Sequence, residues 1–314
     1  MKTIIFWACT ILAWGYTHAN GPFRSLPDSS LSGKWEAKKI GDKLSLTLIF
    51  SPGADGWTYS DVFNMKDFQT EENAGQSELT LRREPGNVVL TGRFENERGV
   101  GTYAFVENGS FRSFLQSRGM AGISPQEMML VLFTGIDRNY FEFMEQSGIP
   151  ISTGEQLKQL AWQHMTRGFV KQYVDEIGKY GYTNISLDKL IELKFYGIYP
   201  DYIDDVNKMG YGTLPVDKIY ELRHYNIGTD YIASLKSVGY EHLPLDKAIE
   251  LGMQRVTAKF ISDIQALGFK DIPLDKVIEL KMHDVSAEYI RQKQLAGYQS
   301  QSLDYYLDLK LQNK

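Results

Sequence analysis

The feature that most limits what this chain can fold into is a period. Glycine followed by an aromatic residue recurs at Gly181-Tyr182, Gly210-Tyr211, Gly239-Tyr240, Gly268-Phe269 and Gly297-Tyr298, with 29 residues between successive copies. The phase extends back to Gly148-Ile149 and Gly119-Met120, with 33 residues from Gly148 to Gly181. A period of this length argues for an array of like supersecondary units, each too small to bury its apolar face alone.

Within a unit the first half reads Ile185-Ser-Leu-Asp-Lys-Leu-Ile-Glu-Leu193, with counterparts ending at Leu222, Leu251 and Leu280. Leu187, Leu190, Ile191 and Leu193 recur at helical spacing, and Asp188 stands in the first turn, where the helix dipole favours an acid. Gly135, His164, Gly197, Asn226 and Asp284 then occupy equivalent positions, residue types that tolerate the left-handed backbone of a helix C-terminus. Arg255 breaks that series and predicts a strained or altered turn.

The second half begins Ile198-Tyr199-Pro200-Asp201-Tyr202-Ile203. Thr166, Gly228, Thr257 and Ser286 stand where Tyr199 does, as N-caps, and Pro200 falls at the first helical position, where its missing N–H costs nothing. Tyr202, Tyr231, Phe260 and Tyr289 read as buried anchors. The glycine that follows, with its aromatic neighbour, fits a Schellman ending with an apolar clasp. Matching Phe169 to Tyr202 puts the four extra residues of the 33-residue unit into its second helix, about one added turn. Helices of roughly 8 to 10 residues are unstable alone and gain stability by stacking. The expectation for residues 113–314 is an α-solenoid of two-helix repeats of about 29 residues, with units starting near 119, 148, 181, 210, 239, 268 and 297.

Ahead of the array, residues 33–112 change period. Leu44, Leu46, Leu48 and Phe50 alternate with other residues, as do Leu79 and Leu81, Val88 and Leu90, and Tyr103 and Phe105, with turn signals at Pro52-Gly53, Pro85-Gly86-Asn87 and Asn96–Gly99. Five or six antiparallel strands predict a small sandwich or open barrel, making the chain α+β. Gly33-Lys34-Trp35 resembles the Gly-x-Trp opening of lipocalins, yet about 75 residues is short for eight strands around a ligand. A core plug and a cavity wall both remain open for Trp35. Residues 1–19, with Lys2, an apolar Ile4–Trp14 and Thr17-His18-Ala19, read as a signal peptide, and 20–32 as a linker. The expected location is periplasmic or extracellular, with no membrane insertion of the mature chain.

Chemistry is hard to place. Cys9, the single cysteine, lies in the signal segment, so the mature chain has no disulfide, thiol nucleophile or cysteine metal site. The net charge is −5 and grows one unit more negative when Lys2 leaves with that segment, which disfavours nucleic acid. His164, His224, His242 and His283 show no metal-ligand spacing. Asp188, Asp217, Asp246, Asp275 and Asp304 recur, as do Glu192, Glu221, Glu250, Glu279 and Asp308. An active site needs one special environment, and a pair present in five units reads instead as a solvated face. Lys189, Lys218, Lys247 and Lys276 would join those acids in ladders of small individual worth. No nucleophile elbow, P-loop or dinucleotide fingerprint occurs, and no cofactor is expected.

Positions that differ between units are candidates for contact, since solenoids bind along their variable face. Phe195, His224, Met253 and Met282 hold equivalent places, followed by Tyr196, Tyr225, Gln254 and His283, while Tyr220 is aromatic where other units have Ile. The candidate partner-binding residues are therefore Tyr196, Tyr220, His224, Tyr225, Met253, Met282 and His283.

Gly181 to Ile203 and Gly268 to Ile290, the latter including Val285-Ser286-Ala287-Glu288-Tyr289-Ile290, resemble a bacterial exported family. Its tandem units read Gly-Tyr-x-x-Leu-Ser-x-Asp-x-Leu-Ile-x-Leu, then Val-Ser-x-Glu-Tyr-Ile. Gly92-Arg93-Phe94, Gly99-Val100-Gly101-Thr102-Tyr103 and Phe105 are similar to its β segment. Related repeats occur fused to membrane metallopeptidases of the beta-lactam-sensor type, whose zinc motif and membrane helices this chain lacks. The resemblance implies envelope sensing or signalling, with a membrane sensor or peptidase as partner. The expectation is an exported, non-enzymatic protein–protein interaction scaffold. The alternatives are a small-molecule carrier using the β domain and an envelope-polymer hydrolase.

Overall fold

The computed structural model describes residues 31–50, 58–73 and 75–312. The expected signal peptide and nearly all of the linker lie outside the described residues, as does the Pro52-Gly53 turn.

Seven antiparallel strands come first: β1 (Leu31–Ile40), β2 (Lys43–Ile49), β3 (Thr58–Asn64), β4 (Phe68–Asn73), β5 (Gln76–Arg83), β6 (Gly86–Glu95) and β7 (Arg98–Glu107). They form one sheet in the order β3-β2-β1-β7-β6-β5-β4, curled into a half-barrel. The two edge strands are neighbours in sequence, joined by a single 3₁₀ turn at Met65–Asp67, and Phe63 meets Phe68 edge to face at 5.8 Å. This is one more strand than expected, and an open barrel in preference to a sandwich.

Alternation puts Leu44, Leu46 and Leu48 on the inner face, all fully buried, with Leu79, Leu81, Val88, Leu90, Tyr103 and Phe105. Trp35 pairs with Leu48 on one side and Gly101 on the other. Its indole lies where side chains would otherwise stand: a Cβ on Gly92 would come within 2.6 Å of Cζ2 of Trp35. Trp35 is 1% exposed, donates from Nε1 to the Thr91 carbonyl at 3.3 Å, and packs on Phe94 at 5.5 Å. That is the geometry of a packed core filled across a glycine gap.

Fourteen helices follow. They are α1 (Gly109–Ser117), α2 (Pro125–Thr134), α3 (Arg138–Gln146), α4 (Gly154–Trp162), α5 (Arg167–Gly178), α6 (Leu187–Phe195), α7 (Pro200–Val206), α8 (Val216–His224), α9 (Thr229–Lys236), α10 (Leu245–Met253), α11 (Ala258–Gln265), α12 (Leu274–Met282), α13 (Ala287–Leu295) and α14 (Leu303–Leu311). Asn108 caps α1 through the Ser110 N–H, so helix begins four residues ahead of the expected boundary at 113. The chain divides into two compact units, one holding the sheet through Leu81 with Val88–Val106, the other Arg82–Asn87 and everything from Glu107 onward. Within the second unit Arg83 donates to the Leu132 and Phe133 carbonyls, capping the C-terminal end of α2.

The helix ends obey the turn chemistry of the sequence. Gly135, His164, Gly197, Asn226 and Asp284 all have φ between +49° and +76°, and the next residue closes a Schellman bond, as Ile198 N–H does to the Leu193 carbonyl at 2.9 Å. Arg255 meets one of the two outcomes expected for it. Its turn is not altered: φ is +52°, and the Val256 N–H reaches the Leu251 carbonyl at 2.9 Å. The departure lies in strain and not in shape, about 1–2 kcal/mol for a side chain held left-handed. Thr166, Thr257 and Ser286 cap α5, α11 and α13 through their side chains, while Tyr199 and Gly228 give α7 and α9 no side-chain cap.

Even-numbered helices pack on even-numbered ones and odd on odd: α2 on α4, α4 on α6, α8 on α10, α10 on α12, α5 on α7 and α11 on α13. Polar contacts recur along these rows. The hydroxyls of Tyr140, Tyr173, Tyr202 and Tyr231 donate to the carbonyls of Met165, Ile198, Ile227 and Val256, each 25 residues on. Tyr182, Tyr211 and Tyr240 donate to Leu214, Leu243 and Ile272, each 32 residues on. Phe169 keeps the place of Tyr202, three residues after the N-cap Thr166 and under Lys194 as Tyr202 lies under Arg223, but the hydroxyl bond passes to Tyr173, because the extra turn makes α5 12 residues long and stacks Phe169 on Tyr173 at 5.3 Å. Tyr202, Tyr231, Phe260 and Tyr289 correct an expectation: all four are half-buried and not fully buried, Tyr202 and Tyr231 because their rings reach from the core to a neighbouring carbonyl.

Candidate partner-binding face

Each even-numbered helix from α4 to α14 ends on a residue whose side chain nothing in its own helix requires to be apolar: Trp162, Phe195, His224, Met253, Met282 and Leu311. All six are exposed, and the five apolar ones strongly so, at 53%, 67%, 48%, 58% and 56% for Trp162, Phe195, Met253, Met282 and Leu311. A single exposed apolar residue needs no explanation, but one per helix at the same place does. Trp162 and Leu311 are additions to the sequence-derived set. The signal was available, since both stand 14 residues after their unit's glycine (Gly148 and Gly297), as Phe195 does after Gly181. The counterpart in α2, Phe133, is buried at 2% and begins no row.

The sequence-derived residues divide into two groups. Tyr196, Tyr220, His224 and Tyr225 come together with Phe195 in one chain of rings. Phe195 meets Tyr196 at 5.0 Å, Tyr196 meets Tyr220 at 4.4 Å, Tyr220 meets His224 at 5.6 Å, and His224 meets Tyr225 at 4.8 Å. Three of those four contacts are edge to face, the favourable aromatic arrangement. The Tyr196 hydroxyl beside it holds the Tyr220 phenol above its ordinary value. Met253, Met282 and His283 lie further along the row, the methionines exposed and His283 half-buried, outside the aromatic cluster.

One flank of the row is acidic. Asp188, Glu192 and Phe195 stand at i, i+4 and i+7, a single stripe of α6, and the later even helices repeat it. Lys189 bridges Glu192 at 2.7 Å and Asp217 of the next even helix at 2.6 Å. Lys218 bridges Glu221 and Asp246, Lys247 bridges Glu250 and Asp275, and Lys276 bridges Glu279 and Asp304. Hydrogen bonds donated to both acids raise each of these lysines above the usual ammonium range. Every rung thus sets two carboxylates against one ammonium, and the aspartates stay 68–81% exposed. The outward charge is negative.

Other cations of the same helices lie against ring faces and carbonyls, Lys194, Lys281 and Lys310 half-buried and Arg223 exposed. Lys194 donates to the Gln163 carbonyl and lies 4.0 Å from the Phe169 ring. Arg223 donates to the Tyr196 carbonyl at 3.2 Å and covers Tyr202, Lys281 covers Phe260, and Lys310 covers Tyr289. These contacts satisfy helix C-terminal carbonyls and ring faces. Burial pushes the Lys194 ammonium down to about 8.

Among the described residues no three His, Cys, Asp or Glu side chains gather as a metal site, and no helix is long and apolar enough to cross a membrane. A cleft of about 400 Å³ lies at Gly268–Lys276 and Gln301–Asp304, where Phe269 lacks the hydroxyl that Tyr182, Tyr211 and Tyr240 extend. Compared with protein-family models, curated proteins and solved structures, the chain matches none.

Proposed function

We propose that this chain is an exported, non-enzymatic scaffold that engages another protein along the row of helix-terminal residues. On this reading the helices stack as an α-solenoid of two-helix units, about 29 residues each. In support, three kinds of rung recur one unit apart: tyrosine hydroxyl to carbonyl, lysine to two acids, and cation over ring. The observation that carries the function is the row itself. The rungs between units use the same residue types repeatedly, whereas the row changes from Trp to Phe, His, Met and Leu while staying exposed. Residues that neither stack units nor solvate the surface are available for a partner. The packed setting of Trp35 favours this reading over a carrier with a cavity in the β domain. Envelope sensing or signalling, with a membrane sensor or peptidase as the partner, is the setting that the family resemblance favours.

The test is placement-specific crosslinking. A photoreactive phenylalanine analogue at position 195, 253 or 282 of the full chain, irradiated in its native envelope, is expected to capture the same discrete protein. The same analogue at position 259, an 81% exposed lysine on α11, is expected to capture none. Capture from position 259 equal to that from the row, or no capture from the row above background, removes the docking face.

A further inference from the structure

The chain uses methionine in two ways, and the difference marks a site of covalent modification. We propose that Met253 and Met282 are the protein's sulfoxidation sites. A peroxide-class oxidant converts both thioethers to sulfoxides, which turns that stretch of the exposed row from apolar to polar while the helices stay folded. The consequence for a partner deepens the docking reading above and rests on it; the assignment of the two sites does not.

Exposure separates these two from the rest. Met120, Met128, Met129, Met144, Met165 and Met209 are buried, none more than 7% exposed, and Met65 is half-buried. Met253 and Met282 are 48% and 58% exposed. Oxidation of a thioether follows its exposure, because the oxidant must reach a sulfur lone pair. Cys9, the single cysteine, lies outside the described residues, so among those residues methionine is the only sulfur to oxidise. The two exposed thioethers are also neighbours in the fold. Each ends its helix, α10 or α12, and those two helices pack on each other. They stand 29 residues apart, at equivalent places in successive units.

The chemistry needs the oxidant alone. The sulfur lone pair attacks one oxygen of the peroxide; an S–O bond forms as the O–O bond breaks, and sulfur gives up two electrons. The released hydroxide takes the proton left on the transferred oxygen and departs as water. The sulfoxide is polar and accepts hydrogen bonds, so its cost depends on where it forms. At Met129 or Met144, both 0% exposed, the new oxygen would sit in the core, where a polar group without a partner is costly. At 253 and 282 it meets water. The turns beyond are closed by backbone bonds that involve neither methionine. Val256 N–H donates to the Leu251 carbonyl at 2.9 Å and Val285 N–H to the Leu280 carbonyl at 2.8 Å. The fold therefore survives the first two oxygens and not the later ones. On the docking reading, two adjacent members of the row become polar while Trp162, Phe195 and Leu311 keep their apolar surfaces.

Hydrogen peroxide, added in graded amounts to the full chain and quenched with free methionine, tests the sites by peptide mass spectrometry. Met253 and Met282 are expected to gain one oxygen each roughly tenfold faster than any of the six buried methionines. Far-ultraviolet circular dichroism is expected to be unchanged when both are converted. Buried methionines oxidised at the same rate, or helix signal lost as the first two oxygens are gained, overturn the proposal. The consequence is tested with the photoreactive phenylalanine analogue at position 195, in envelopes treated with peroxide before irradiation. Capture is expected to fall roughly tenfold in the parent chain and to persist in a chain carrying Met253→Leu and Met282→Leu, whose row stays apolar under peroxide. The leucine pair also controls for oxidation of the partner, which is the same in both envelopes. Capture that survives oxidation in the parent, or that is lost equally in the leucine pair, overturns the proposal and leaves the docking face standing. Absence of capture from 195 before any peroxide removes the docking face instead, and the mass spectra alone then decide the two sites.

Discussion

The sheet and the helices of this chain solve the same packing problem in opposite ways. In the sheet each contact is made once. Trp35 fills a gap that exists because Gly92 and Gly101 carry no side chain, and a Cβ on Gly101 would lie 2.0 Å from the Thr91 carbonyl. In the helices a few contacts are made over and over, and the loss of one leaves its copies in place. Phe260 lacks the hydroxyl of Tyr231 and Tyr202, yet its ring still lies under Lys281 as Tyr202 does under Arg223. A unique contact forbids variation, whereas a repeated one tolerates it. That tolerance lets the helix-terminal residues diversify, which is where a docking function can grow.

The sharpest way to break the comparison is Gly101→Ala. The new methyl meets backbone on the neighbouring strand, which cannot rotate away, so the sheet is expected to lose more than about 3 kcal/mol. Chemical denaturation followed by near-ultraviolet circular dichroism should show the early transition. Far-ultraviolet signal at 222 nm should keep its midpoint if the helices rely only on their own rungs. A joint loss of both signals would mean that the two units share a single cooperative transition.

The next largest effect is expected on the helical side. Burial raises the phenols of Tyr202 and Tyr231 to about 12, and moves those of Tyr140, Tyr173, Tyr182, Tyr211 and Tyr240 upward as well. In the unfolded chain each ionises near the ordinary value of about 10. A raised folded-state value means stability present in full below about pH 10 and lost as pH climbs through the folded value, here toward 12. The helices should therefore unfold steeply between those limits, with phenolate absorbance and the 222 nm signal changing together. Tyr231→Phe should lower stability at pH 7 by about 1 kcal/mol, because the Val256 carbonyl loses its donor, and should flatten the alkaline slope. An alkaline loss of the 222 nm signal that is the same in Tyr231→Phe as in the parent chain would show the hydroxyl rungs to be incidental.

Legibility followed the same division. The helix ends were readable because a left-handed turn admits few residue types and the period displays them side by side. The middle strands were readable from alternation at Leu44 to Leu48 and Val88 to Leu90. Strands β3 and β4 were not, since each buries a single large apolar residue among the described positions, Phe63 and Phe68, and edge strands need no more. The identity of Tyr173 as the rung residue was hidden because Phe169, one turn earlier, occupies the same helix face. Trp162 and Leu311 escaped notice for a different reason: their flanking residues depart from the consensus of the central units, although the count from the glycine was intact. What no single sequence displays is exposure, and exposure separates this row from the buried positions one or two residues before it.

The smallest expected effect concerns Arg255, where the repeated turn is filled by a residue that does not suit it. Asn226 and Asp284 hold the equivalent backbone at φ of +55° and +53°, against +52° for Arg255. Arg255→Asn should stabilise the helices by about 0.5–1 kcal/mol, since asparagine tolerates the left-handed region better, and Asn226→Arg should cost a similar amount. Thermal unfolding of the reciprocal pair measures both signs in one background. The exposed Arg255 stands two residues beyond Met253, so the same variant also asks why the strain persists. A more stable Arg255→Asn chain that still crosslinks through position 253 would mean the arginine is merely tolerated. A more stable chain that loses the crosslink would place Arg255 at the docking face, with local strain accepted where the partner binds.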